Sequence, residues 1–259
     1  MNNTFVNYAH RGASTYAPEN TLTSFRMGLE MGANGIETDV QITKDGVLVL
    51  FHDDTIERCS NGTGRIADYT YAQLLGMDFG GWKDEKYKGE PIMTFEAFAR
   101  EFFHLDLTFA IELKVRGIAA KVADIINRYK AADKVIVSSF DFACLEEMKA
   151  AAPEQRLCWL IIGEIDGERL HKLRELNPPA GSQISPKCAD LTEAGIELAK
   201  SYGFRVRLWG TDSPATMERV YPFDTDGMTV NFPDKLTELM QRKPRAAAEK
   251  PPRPNIGVL

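Results

Sequence analysis

Short apolar runs alternate along this chain with longer stretches whose apolar residues recur every three or four positions. Residues 5–9, 35–40, 108–113, 134–138, 156–162, 182–185, 204–209 and 227–230 have the length and composition of buried strands. Helical spacing is predicted between them over 21–31, 118–129, 142–151, 169–176, 193–202, 214–221 and 233–241. The punctuation agrees. Gly32 and Gly203 stand where helices end, Pro153 and the Pro178-Pro179 pair stop two others, and Pro214 and Pro233 suit first helical turns. Strands that alternate with helices are parallel and joined by crossovers. Eight such units predict an α/β fold, a closed (β/α)8 barrel. An open doubly wound sheet is the alternative, but no G-x-G-x-x-G loop follows the first strand to favour it.

Two stretches break the repeat. Lys44-Asp45-Gly46 is a turn signal that joins 40–42 to 47–51, predicting a short hairpin after the second strand. An insertion at about 54–91, rich in glycine and aromatics, then follows, and at the catalytic end of a barrel it is expected to act as a lid or substrate cap. From 241 onward five Lys/Arg face a single Glu249 among four prolines, so 1–240 is read as the barrel domain and 241–259 as an extended or disordered tail.

Bulk properties narrow the partners. An apolar fraction of 44% in 259 residues is ample for one large core. A net charge of −6 argues against a nucleic-acid binder, whose footprint would be basic. No run of about 18 apolar residues predicts a membrane span, so no stable membrane insertion is expected. Met1-Asn2-Asn3-Thr4 has no basic and apolar leader pattern, and the four scattered cysteines form no CxxC pair. A cytoplasmic location with reduced thiols is the expectation.

The polar residues that interrupt the strand ends carry the chemistry. His10 and Arg11 follow the first strand, Glu37 and Asp39 punctuate the second, His52 ends the hairpin, and Glu112 and Lys114 close the third. Strand side chains alternate faces, so Glu37 pairs with Asp39, and Ala110 with Glu112 and Lys114, on the face opposite the apolar partners. That sends them toward the barrel axis, at the end where barrel active sites lie. Three carboxylates converge there only if something neutralises them. One divalent cation bound through oxygen, Mg²⁺ or Ca²⁺, is the expected solution, and a salt-bridge layer with Arg205 or Arg207 is the alternative. Arg11 and Lys114 are expected to contact phosphate oxygens. His10 and His52 are the candidates for moving protons near neutral pH. His104 and His171 lack such company and are read as surface or structural.

The ordered series His10-Arg11-Gly12-Ala13, Ala17-Pro18-Glu19-Asn20-Thr21, Gly35-Ile36-Glu37-Thr38-Asp39-Val40, Thr43-Lys44-Asp45-Gly46, His52-Asp53, Asn61-Gly62-Thr63-Gly64, Ile111-Glu112-Leu113-Lys114, Ser138-Ser139-Phe140-Asp141 and Asn231-Phe232-Pro233-Asp234 resembles the glycerophosphodiester phosphodiesterase family. The resemblance implies a TIM barrel with a small subdomain inserted after the second strand. It implies hydrolysis of a small-molecule glycerophosphodiester to an alcohol and sn-glycerol 3-phosphate. His10 and His52 match its acid–base pair, Glu37, Asp39 and Glu112 its metal ligands, and Arg11 and Lys114 its phosphate contacts. Glu19 and Asn20, in the motif that shapes the site's first loop, and Trp209, where the family often puts an aromatic, are expected at the substrate pocket. Attack by water, or by the glycerol 2-hydroxyl through a cyclic phosphate, both fit. A related barrel phosphodiesterase or lyase acting on a lipid or inositol phosphodiester is the neighbouring reading, and a non-catalytic phosphate-ligand binder the third. The chain departs from the family's pattern at Val230-Asn231 and at Gly210-Thr211-Asp212-Ser213. These departures are expected to bear on substrate preference and to leave the metal and acid–base set untouched. Head group, metal identity and oligomeric state stay open.

Overall fold

A computed structural model describes residues 5–245. Strands β1 (Val6–His10) and β2 (Gly35–Ile42) pair in parallel, and β3 (Leu48–Leu50) folds back antiparallel on β2. β4 (Thr108–Leu113), β5 (Val135–Ser139), β6 (Arg156–Ile161), β7 (Gln183–Pro186), β8 (Arg205–Thr211) and β9 (Gly227–Val230) continue the parallel sheet, and β9 pairs with β1 to close it. The barrel is therefore the closed eight-stranded one, with β3 as an antiparallel appendage.

Alternation along the strands sorts the side chains. Ile36, Val40, Phe109, Ile111 and Leu113 face outward into the main hydrophobic core beneath the helices. The inward positions are mostly polar, and only Ile136, Cys158 and Leu160 form a small apolar plug beside Trp209. Helices α1 (Leu22–Glu30), α4 (Ala119–Arg128), α5 (Phe142–Ala151), α6 (Gly167–Glu175), α7 (Glu193–Ser201), α8 (Pro214–Val220) and α9 (Pro233–Arg242) lie where the sequence periodicity predicts them. The short α2 (Tyr71–Leu74) lies inside the insertion.

Helix α3 (Phe95–Phe102) is the unit that the sequence reading omitted. Thr94 caps it by accepting a hydrogen bond from the Ala97 amide at 3.0 Å. Phe95, Phe98, Ala99 and Phe102 form its buried face and meet Phe25, Phe103 and Phe109 ring against edge. Truncating the fully buried Phe98 to alanine is expected to cost roughly 3–5 kcal/mol. A threonine followed by phenylalanines at helical spacing was a readable signal, hidden by its closeness to the irregular insertion.

The insertion has its own small core of Ile56, Cys59, Ile66, Leu74, Phe79 and Ile92, packed on Val49 and Phe51. It leans on the loop after β1: Lys83 Nζ donates to the Ser14 carbonyl (2.7 Å), the Tyr87 hydroxyl to the Tyr16 carbonyl (3.0 Å), and the Thr23 hydroxyl to Glu90 (2.9 Å). At the other end, α9 runs to Arg242, and Arg245 stacks over Phe5 at 4.5 Å while donating to the Thr225 carbonyl. The segment just past 240 thus belongs to the barrel, and 246–259 of the expected tail lie outside the described residues. None of the described helices is long and apolar enough to cross a membrane.

Candidate active site

The parallel register sets the site. Asp39 stands opposite Glu112, and His10 opposite Glu37, so four side chains from three adjacent strands rise at the same end of the barrel. Of these, His10, Glu37 and Glu112 line a cavity of about 250 Å³ together with Arg11, His52, Arg207, Trp209 and Asn231, and Asp39 lies just beneath it.

The turn after β1 is shaped by backbone geometry. Arg11 (φ 55°) and Gly12 (φ 85°) both take left-handed conformations. A Cβ on Gly12 would lie 2.4 Å from the Ser24 backbone, so only glycine lets the turn pack on α1. The Ser24 hydroxyl donates to the Arg11 carbonyl (2.9 Å) and the Arg11 amide to the Glu37 carbonyl (2.9 Å), which fixes the turn between helix and strand.

One oxygen from each of Glu37, Asp39 and Glu112 can be chosen so that all three lie within 4.8 Å of one another, and all three residues are buried. Glu37 Oε2 and Asp39 Oδ1 have no hydrogen-bond partner. Buried acceptors of this kind are costly unless a cation completes them. The set therefore fits one divalent ion bound through oxygen. The alternative of a salt-bridge layer with Arg205 or Arg207 is not what forms. Arg205 pairs with Asp226 at 3.8 Å. Arg207 donates to the Thr229 hydroxyl (3.2 Å) and the Cys158 thiol (3.6 Å) and lies over the Tyr8 ring.

The charges divide unevenly. Burial, then repulsion from Asp39 and Glu112, pushes the Glu37 carboxyl well above its ordinary value. Glu112 is raised by burial and then by Asp39. Burial also works against the charge on Asp39, but Arg11, His52 and Lys114 outweigh it and hold this carboxyl low. Arg11 Nε lies 3.1 Å from Asp39 Oδ2, and Lys114 Nζ lies 2.8 Å from Glu112 Oε1 and 3.8 Å from Asp39 Oδ1. Burial lowers the Lys114 ammonium's pKa, but Asp39 and Glu112 outweigh it and raise the pKa.

The two histidines are oriented differently. His10 Nδ1 lies 2.5 Å from Asn231 Oδ1, and its Nε2 faces Glu37 Oε2 at 3.7 Å. Burial, then the nearby Arg11 charge, lowers its pKa to about 3, so the ring is neutral at pH 7. His52 Nδ1 lies 2.5 Å from Asp53 Oδ1. His104 and His171 are both exposed, away from this cavity.

Ten residues were predicted for the site. His10, Arg11, Glu37, His52, Glu112 and Trp209 line the cavity, and Asp39 and Lys114 touch those that do. Trp209 forms a wall with Phe140, edge to face at 5.0 Å, and its Nε1 donates to the Ile161 carbonyl. Glu19 and Asn20 do not line the cavity. Asn20 Nδ2 donates to Asp39 Oδ2 (3.0 Å) and its oxygen accepts from the Thr38 hydroxyl (2.8 Å), while Glu19 accepts from Arg11 and Arg58. Both lie behind the cavity, in contact with Asp39 and Arg11.

Asn231 was expected to leave the acid–base set untouched, and this is corrected: it holds His10. None of residues 54–91 is among those that line the cavity; the core of the insertion packs on β3 and its edge braces the loop after β1. The strand-end rule that picked out His10 also applied to Asn231, at the end of the last strand. Asp53 was signalled by its place beside His52, whereas nothing in the local pattern marked Arg58.

The model of the glycerophosphoryl diester phosphodiesterase family matches residues 10–235. A glycerophosphodiester phosphodiesterase of Caldanaerobacter subterraneus subsp. tengcongensis is 32% identical over 248 residues, covering 90% of this chain and 97% of the relative. The solved glycerophosphodiester phosphodiesterase of Agrobacterium tumefaciens superposes with a TM-score of 0.78 at 27% identity, over 91% of this chain and 99% of that one. An Oleispira antarctica phosphodiesterase, solved in complex with the product sn-glycerol-3-phosphate, superposes with a TM-score of 0.82 at 26% identity, over 90% and 96%.

Proposed function

The chain belongs to the glycerophosphoryl diester phosphodiesterase family, and from that premise we propose that it cleaves small glycerophosphodiesters to an alcohol and sn-glycerol 3-phosphate using one Mg²⁺ or Ca²⁺ ion and the His10–His52 pair. The observation that carries this reading is the buried Glu37–Asp39–Glu112 cluster, with unpartnered oxygens, set between two cations and two histidines. When bound, the ion supplies Lewis-acid stabilisation of the phosphodiester's charge.

The chain's own residues do the rest. Arg11 and Lys114 present guanidinium and ammonium groups to the phosphoryl oxygens, where charge grows in the transition state. His10, neutral at pH 7, takes the proton from the attacking oxygen through Nε2; water gives glycerol 3-phosphate directly, whereas the glycerol 2-hydroxyl gives a cyclic phosphate that a second attack, by water, must open. His52, anchored through Nδ1, gives a proton to the departing alcohol from its other nitrogen. Asn231 and Asp53 hold the two rings, and Asn20 holds Asp39. Phe140, Leu160 and Trp209 form an apolar wall for the organic part of the substrate. Four buried, unpaired cysteines suit a reducing compartment such as the cytoplasm.

The test is release of sn-glycerol 3-phosphate from glycerophosphocholine and glycerophosphoethanolamine after EDTA treatment and again with Mg²⁺ or Ca²⁺ restored. Metal-dependent release that His10→Ala and Glu37→Ala both abolish supports the reading. Absence of release with either metal overturns it.

A further inference from the structure

One side chain of the inserted segment, Arg58, reaches the two carboxylates that hold cavity-lining residues. Arg58 is about half exposed, with 45% of its side chain accessible, yet all three of its guanidinium nitrogens are engaged. Nε and Nη2 fork onto Asp53, at 2.5 Å to Oδ2 and 3.0 Å to Oδ1. Nη1 and Nη2 fork onto Glu19, at 2.7 Å to Oε2 and 2.8 Å to Oε1. Each carboxylate then holds a residue that lines the cavity. Asp53 Oδ1 meets His52 Nδ1 at 2.5 Å, and Glu19 Oε1 accepts from Arg11 Nη1 at 2.8 Å. Arg11 continues the chain to Asp39.

We propose that Arg58 is a positioning residue that locks two separate loops, one carrying His52 and one carrying Arg11, into a fixed mutual geometry, and that the insertion serves the reaction through this clamp. The inference rests on the roles proposed above for His52 and Arg11.

The backbones of the two loops are each tied to β2, by the Arg11 amide donating to the Glu37 carbonyl and by Gln41 Nε2 donating to the Phe51 and Asp53 carbonyls, but those bonds leave the Asp53 and Glu19 side chains free to turn. His52 follows β3, outside the closed barrel, and Arg11 sits in a left-handed turn after β1. A carboxylate alone can rotate about its own side chain. Two carboxylates forked onto one planar guanidinium cannot, because five donors in a rigid plane set both orientations together. The bonds from Arg58 also come first among the causes that hold the Asp53 carboxyl down to about 2, which keeps it an acceptor for the His52 ring. Lysine offers a point charge and no second fork. At Asp53 the pair is open to solvent, where ion pairs add little to stability, and Glu19, only 11% exposed, keeps Arg11 as its partner when Arg58 is replaced, so the clamp matters to geometry more than to folding. That separates it from a merely structural bridge.

The experiment uses the full chain with Mg²⁺ and compares wild type, Arg58→Gln and Arg58→Lys, each also in an Asp53→Asn/Glu19→Gln background. The readouts are kcat and KM on glycerophosphocholine, thermal stability, and the ¹⁵N shifts of the His52 ring. Arg58→Gln is expected to lower kcat by about 10–100-fold, as for other residues that act through a ligating or catalytic partner. Its KM should change less, and its melting temperature should stay near that of wild type. Arg58→Lys should fold and recover only part of the loss. In the background lacking both carboxylates, Arg58→Gln should cost almost nothing more, because residues in one network are not additive. The His52 ring, held with Nδ1 on Asp53 in wild type, should become a mixture of tautomers. Full kcat in Arg58→Gln, or the same fold-loss in both backgrounds, overturns the clamp. If wild type releases no glycerol 3-phosphate, the proposed function fails, and the ring shifts alone decide: unchanged shifts in Arg58→Gln end this inference too.

Discussion

His10 and Asn231 lie 221 positions apart in the chain and 2.5 Å apart in the fold. The contact exists because β9 closes the barrel against β1, pairing Ala9 with Val230. It fixes the imidazole with Nδ1 toward the amide and Nε2 toward Glu37 and the cavity. Asn231→Ala is therefore expected to lower kcat by about 10–100-fold. Asn231→Asp places a carboxylate against the ring, which favours the imidazolium and raises the His10 pKa from about 3. The acid limb of kcat/KM should then move to higher pH, and a pH–rate profile of the two variants beside wild type reads this directly. An unmoved limb in Asn231→Asp would remove His10 as the proton acceptor.

Metal binding should be linked to pH with a definite sign. The Glu37 and Glu112 carboxyls are raised above their ordinary value of 4.5, so without metal the folded protein holds protons there that the unfolded chain has released. Metal-free stability contributed by these two groups falls as pH climbs above that value. Asp39, held low, works in the opposite sense, and its contribution is lost only in strong acid. A bound cation needs all three ionised. The rise in melting temperature on adding Mg²⁺ or Ca²⁺ to EDTA-treated protein should therefore grow as pH climbs above the ordinary carboxyl value of 4.5. An increment that is flat or shrinks with pH contradicts the cluster as the binding site.

Removing one acid should separate stability from function. Glu37→Gln replaces a buried carboxyl that metal-free folding must protonate or bury charged, and whose Oε2 has no partner. The metal-free variant should melt higher than metal-free wild type, by roughly 2–4 °C for each kcal/mol recovered in a protein of this size. Metal should no longer stabilise it, and activity should fall by more than about 100-fold. A variant that melts lower without metal would mean that Arg11 and Arg207 favour the Glu37 charge more than burial and the other acids oppose it.

Gly12→Ala tests the turn that presents His10 and Arg11. The added methyl meets the Ser24 backbone at 2.4 Å, and the residue must keep a φ of 85°. A loss of at least about 1–3 kcal/mol is expected from the backbone conformation alone, with the clash adding to it. Urea unfolding measures it. A midpoint equal to that of wild type would show that the turn can move off α1 freely.

The strands and seven of the large helices could be read from the chain because their periods, 2 and 3.6, are local properties that the barrel reinforces. The same alternation put Glu37 with Asp39 and Glu112 with Lys114 on inward faces, because turning them outward would bury charge beneath the helices. Helix α3 carried a readable pattern but lay against an insertion without one. What the sequence did not determine was which side chains meet across distance. That Asn231 holds His10, that Asn20 stands behind Asp39 and that Arg58 ties Glu19 to Asp53 follow from barrel closure and from how the insertion seats on the first loop. Residue types at strand ends specify a chemistry, since each carries its charge and donors wherever it goes. Orientation needs partners from other elements, and only the tertiary structure brings those within hydrogen-bond reach.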